Sequence, residues 1–104
     1  MSRHYVNKVA LRGNLGCHPE TRFTPSGTRV TTANLATNDS WATENGEPQR
    51  RTEWHRLVFW RRLAEIASQY LSKGNGLAVE GRLHSRTWKD ARGHSHRRTE
   101  IIVT

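Results

Sequence analysis

TEWHRLVFWRR, Thr52 to Arg62, places two tryptophans, a phenylalanine, a histidine and three arginines in eleven positions. In a strand, side chains alternate between two faces, so Trp54, Arg56, Val58 and Trp60 project one way and His55, Leu57 and Phe59 the other. The second set suits an interior. The first is a platform of aromatic rings and positive charge. After Trp60 the period changes: Leu63, Ile66, Ala67, Tyr70 and Leu71 fall at helical spacing, and Lys73-Gly74 supplies the stop. A strand running straight into an amphipathic helix anchors the reading of everything around it.

Upstream, Tyr5 to Leu15 reads as a strand, with Val9, Leu11 and Leu15 on one parity and Lys8, Ala10 and Arg12 on the other. Gly13 and Gly16 mark a bulge or bend in it. Pro25-Ser26-Gly27 is a turn signature, and Thr28 to Thr37 is a second strand rich in Thr, Val and Leu. The polar stretch Asn38 to Arg51, with Asn45-Gly46 near its middle, reads as a long hairpin connection in which Trp41 stands almost alone. Downstream, Leu77, Val79 and Leu83 alternate with Ala78, Glu80, Arg82, His84, Arg86 and Trp88, giving a fourth strand with a core face and a polar face. Asp90-Ala91-Arg92-Gly93 turns the chain into a last strand that ends at Ile101-Ile102-Val103. Three strands, a helix and two strands predict an all-β fold, a five-stranded antiparallel Greek-key OB-fold barrel with one α-helix between strands 3 and 4. A generic antiparallel barrel with a helix gives the same order. The 104 residues suffice for a single domain, 1–104, with a radius of gyration of roughly 13 Å if compact.

Fourteen arginines and three lysines face nine acids, for a net charge of +8 and a pI near 11.1. Such a balance favours a polyanionic partner, and the arginine bias favours nucleic acid over lipid headgroups, because guanidinium forks onto phosphate and stacks on rings. With Cys17 as the single cysteine, no intramolecular disulfide and no cysteine-based zinc set is possible. No apolar run approaches the ~20 residues of a membrane span, and MSRHYVNK has no signal core behind its charges. A soluble, cytoplasmic, nucleoid-associated protein without membrane contact is expected.

Trp54 and Trp60 share a parity with Arg56, Trp88 shares one with Arg82 and Arg86, and Trp41 falls in the polar connection, so none of the four occupies a predicted core parity. Unpaired bases offer π-faces to such rings while basic groups track the phosphates beside them. In a duplex the bases are already stacked, and no zinc-finger, zipper or recognition-helix pattern is present. Single strands are therefore the expected ligand, and parity does not separate DNA from RNA. His94 and His96 share a strand face with His84 across the hairpin, but no cysteine or carboxylate is expected to complete a metal site. The acids are scattered, with no clustered pair or nucleophile beside a base, so neither catalysis nor a cofactor is expected.

The runs NKVALRGNLG, PETRFTPSG (Pro19–Gly27), NLAT (Asn34–Thr37), TEWHRLVFW, LAEIASQYLSKG (Leu63–Gly74), VEGRLHSRTW (Val79–Trp88) and TEIIV resemble, in order, those of bacterial single-stranded DNA-binding proteins. The resemblance implies an OB-fold protomer of a homotetramer that wraps single-stranded DNA without strong sequence preference in replication, recombination and repair, and catalyses nothing. It implies base stacking at Trp41, Trp54, Trp60 and Trp88, where Trp60 replaces a common phenylalanine. It implies phosphate contacts at Lys8, Arg56, Arg62, Lys73 and Arg86, with Arg3 and Arg22 as additions, and Arg62 is preferred to Arg61. His55 falls at a position linked to subunit contact. Family members usually continue into a flexible linker and an acidic tail that recruits replication and repair proteins. The chain stops at Thr104, as a binding core of a longer protein or a natural short form would, so tail-dependent partners are not expected. A primosomal replication-restart OB protein, often dimeric, or an RNA-binding OB module is the alternative.

Overall fold

The computed structural model describes residues 4–104. Its elements are β1 (Val9–Leu15), β2 (Glu20–Phe23), β3 (Arg29–Ala42), β4 (Pro48–Trp60), α1 (Arg61–Tyr70), β5 (Gly76–Lys89) and β6 (Ser95–Val103). The strands hydrogen-bond in the order β1-β5-β6-β4-β3-β2, and β1 also pairs with β3, closing a five-stranded barrel with β2 as a short outer addition. This is the OB-fold expected, with two corrections. A sixth strand, β2, occupies the stretch before the Pro25 turn. The pairing is also not wholly antiparallel: β4 and β6 run parallel at Leu57↔Ile101 and Val58↔Ile102. β5 runs opposite to β4 and so sets out from the end at which β4 stops, and the β5–β6 hairpin then brings β6 back in the direction of β4.

Barrel closure requires β1 to approach β3 closely at Asn14↔Ala36 and Leu15↔Leu35. A Cβ on Gly13 would collide with the Ala36 carbonyl there, so the bend predicted in RGNLG is a close-approach position. The core inside is Leu15, Ala33, Leu35, Leu57, Phe59, Ala64, Ala67, Val79, Ile101 and Val103, with Val9, Leu11, Leu63, Leu71 and Leu77 packed at its margin. Leu57 and Phe59 are buried, as alternation predicted.

The helix buries part of the stripe expected, with Leu63, Ala67 and Leu71 packed toward the core, but not all of it. Ala64 and Ala67 are enclosed while Ile66 and Tyr70 are exposed. Small side chains let α1 lie close on β3, where the buried Thr31 Oγ1 donates to the Ala64 carbonyl at 2.9 Å.

The polar stretch Asn38–Arg51 is mostly strand. The β3–β4 ladder runs unbroken from Val30↔Trp60 to Ala42↔Pro48, and the turn occupies only Thr43 to Glu47, with Gly46 at φ 78°. A two-stranded ribbon satisfies its backbone across the pair and has no core to cover, so no apolar alternation announces it. The β5–β6 hairpin likewise continues past the barrel, which leaves Leu83, an expected core residue, 50% exposed. These two ribbons extend the molecule to 56 × 39 × 33 Å and raise the radius of gyration to 16.6 Å, above the value for a compact chain of this length.

Candidate nucleic-acid interface

A cleft of about 540 Å³ lies on the face of β4 opposite the core. It is lined by Val58 and Trp60 of β4, Arg61 at the start of α1, Glu100 and Ile102 of β6, Arg82, His84 and Arg86 of β5, and Thr24, Ser26 and Thr28 between β2 and β3. An adjoining hollow of about 310 Å³ shares Val58, Trp60, Arg86 and Glu100 and adds Arg22, Phe23 and Arg56. The alternation of β4 therefore does divide the strand as predicted: Arg56, Val58 and Trp60 face the cleft, while Leu57 and Phe59 face the core. Polar and apolar parity fail to coincide at one point, because Val58 is buried on the cleft side, under the ring-lined surface.

The four tryptophans are not equivalent. Trp54 is 61% exposed and Trp60 is 38% exposed. Trp54 lies over the chain at Gly16, where a Cβ would overlap the indole. Trp88 is partly covered by its own hairpin: the His96 ring stacks on it at 5.4 Å with an interplanar angle of 21°, and the guanidinium carbons of Arg86 and Arg98 stand 4.8 and 5.5 Å from its centroid. Trp41 departs from the sequence reading in two ways. It belongs to β3 and not to a loop, and its place in the ladder, opposite Gln49, gives it the parity of Ala33 and Leu35. It is exposed because the ribbon has already left the barrel.

Among the basic candidates, Arg22, Arg56 and Arg86 line the hollow. Arg56 Nε donates to Glu100 Oε2 at 3.0 Å, and Arg86 Nε lies 3.6 Å from Glu100 Oε1. Lys8 stands apart, 3.9 Å from Glu80 on the outer face of β5. Lys73 is exposed in the loop after α1, and its backbone N–H donates to His18 Nδ1 at 3.3 Å, beside the Gly16 segment that carries Trp54. Arg62 is exposed on the first turn of α1 but does not line the cleft. Arg61 does line it, and its backbone is left-handed at φ 53°. Arg3 lies outside the described residues.

Sequence reasoning missed Phe23, Arg61, Arg82, His84 and Glu100 as cleft residues. Phe23, under the Arg29 guanidinium at 5.4 Å, was legible as an aromatic beside arginine. Glu100 was not, because one acid among nine carries no positional signal.

His55 shares a hydrogen bond of 2.9 Å between Nε2 and Thr37 Oγ1 on the core-side parity of β4, away from the cleft. The histidines of the hairpin do not converge. His84 is at the cleft, whereas His94 and His96 gather at the ribbon tip around Asp90. His96 Nε2–H donates to Asp90 Oδ2, and the amides of Arg92 and His94 donate to Oδ1, each at 2.9 Å. These donors, His96 foremost, hold the Asp90 carboxyl below its ordinary value of 3.8. No set of three metal-ligating groups is present among the described residues, and no helix there is long and apolar enough to cross a membrane.

An OB barrel with an arginine-lined aromatic cleft on its outer sheet face defines an oligonucleotide-binding class of protein. The chain matches the single-strand binding protein family over residues 6–104, and it belongs to that family. It is similar to the Plasmodium falciparum SSB in its complex with ssDNA, at 34% identity and a TM-score of 0.87, covering 100% of this chain and 91% of that one. It is also similar to a deletion variant of the single-stranded DNA-binding protein from Thermus aquaticus, at 33% identity and a TM-score of 0.81, covering 94% of this chain and 47% of that one.

Proposed function

We propose that residues 1–104 act as one unit that binds single-stranded DNA without sequence preference, protecting and organising it in replication, recombination and repair. The observation that carries this reading is the cleft in which the exposed Trp60 stands among Arg22, Arg56, Arg61 and Arg86. Stacking of a base on an aromatic side chain is worth ~1–3 kcal/mol and is indifferent to base identity. Arginines beside the ring neutralise the adjoining phosphates.

Trp54 and Trp60 offer open faces and take the larger share of stacking. Trp88 takes a base once His96 or an arginine moves from its ring. Trp41 lies on the opposite parity of the β3–β4 ribbon, so a strand that meets all four rings winds around the protein instead of crossing one face. Lys8, Arg62 and Lys73, outside the cleft, suit the phosphates of such a path. Binding needs no cofactor and makes no bond. Self-assembly into a homotetramer, with His55 near a subunit contact, and a place in the nucleoid are parts of the same proposal, supported by family membership.

A titration with poly(dT), followed by tryptophan fluorescence and accompanied by a solution mass, tests it. Saturable quenching that poly(U) competes for poorly is expected, from a particle of four chains. Binding without quenching would remove the stacking mechanism, and a mass of two chains would remove the tetramer.

A further inference from the structure

Glu100 is the only acid among the residues lining the cleft and its adjoining hollow, and it is 5% exposed. A surface suited to a polyanion thus keeps a carboxylate among its lining residues. The strand order explains the position: β6 lies between β5 and β4, so Glu100 sits between Arg86 and Arg56. Its two oxygens are divided between them, Oε2 accepting from Arg56 Nε at 3.0 Å and Oε1 lying 3.6 Å from Arg86 Nε. Both contacts use Nε. A guanidinium has five N–H donors in a fixed fork, so the terminal Nη groups of both arginines are left for another acceptor. Arg86 also lies over Trp88, which ties the cleft to the β5–β6 ribbon.

We propose that Glu100 is a positioning residue for nucleic-acid binding. It holds Arg56 and Arg86 by their Nε edges, turns their Nη edges toward one stretch of phosphate backbone, and reduces the pair from two positive charges to one net charge. The inference rests on the single-strand reading given above. Its consequence is a trade between charge and alignment. The arginines attract counter-ions as a single charge would, yet meet a phosphate already oriented. Removing Glu100 should strengthen the salt-dependent part of binding and weaken the part that survives salt.

The test is a titration of the full chain and of Glu100→Gln with oligo(dT) at several salt concentrations, read by tryptophan fluorescence. Glutamine keeps the shape and one acceptor but loses the charge and the second acceptor. The slope of log K against log salt should steepen by roughly 0.7, the increment for one additional charge on a single strand. At high salt the variant should bind about tenfold more weakly, the loss of one oriented charged hydrogen bond, so the two lines cross. Lines that stay parallel, or that steepen without any loss at high salt, overturn the proposal: a merely structural Glu100 lowers both ends together, and a mere counter-charge steepens the line without weakening binding at high salt. Arg86→Lys, in a chain that retains Glu100, keeps the charge but has only one donor group. It should leave the slope unchanged and lower high-salt affinity about tenfold. Unchanged affinity there overturns the proposal even if Glu100→Gln does not fold. Absence of binding by the unsubstituted chain removes both the functional reading and this inference, whereas normal binding with parallel lines removes the inference alone.

Discussion

Trp54 lies against Gly16 at the place where any Cβ would stand. A glycine in the bend after β1 thus creates the seat of an exposed ring on β4. Gly16→Ala should displace the indole and alter its emission. Affinity for oligo(dT) should fall toward that of Trp54→Ala, for which a loss of ~1–3 kcal/mol is expected. Unchanged emission and affinity in Gly16→Ala would show that the seat has no role.

Trp60 stands in the cleft, whereas Trp88 is already covered by His96, Arg86 and Arg98. Trp60→Ala is therefore expected to cost more than Trp88→Ala, within ~1–3 kcal/mol per base. Fluorescence or calorimetric titrations of the two variants with short oligo(dT) would decide it, and the reverse order would contradict the placement of the DNA path.

Arg22 and Arg56 reach the same hollow, but only Arg56 is tied to a carboxylate. Arg22→Ala should reduce the magnitude of the salt slope by roughly 0.7, the increment per phosphate on a single strand. A slope that stays constant in titrations from low to high salt would place Arg22 off the phosphate path.

Asp90 gives the ribbon tip a defined pH dependence. Its folded pKa is lowered, chiefly by the His96 hydrogen bond, so the stabilisation it provides is fully present above the ordinary value of 3.8 and is lost as pH falls through the folded value. Acid should loosen the 90–94 turn before the barrel. NMR amide signals of Arg92 and His94 should report this in the unsubstituted chain, and in Asp90→Asn they should show no such acid transition.

Leu57, fully buried at the centre of β4, tests the core independently of binding. Leu57→Ala should cost about 2–5 kcal/mol through lost burial and a residual cavity. Thermal unfolding should fall by roughly 4–8 °C per kcal/mol for a chain of about this size. A smaller shift would mean that the barrel collapses readily onto the gap.

Alternation in Thr52–Trp60 and the change of period after Trp60 were enough to specify a strand, its core side and the helix that follows, because those patterns arise from local geometry and burial. The aromatic and basic character of the other face was legible for the same reason. The β3–β4 ribbon was not: Trp41 and the residues around it pair with β4 without covering a core, so their sequence reads as loop. Nor was the role of each arginine. Only the tertiary structure placed Arg61 in the cleft instead of Arg62, paired Lys8 with Glu80, and set Glu100 between Arg56 and Arg86. A sequence shows which residues carry charge and rings; which of them meet depends on strand order and barrel closure, and these bring together positions 44 residues apart, as in the Arg56–Glu100 pair.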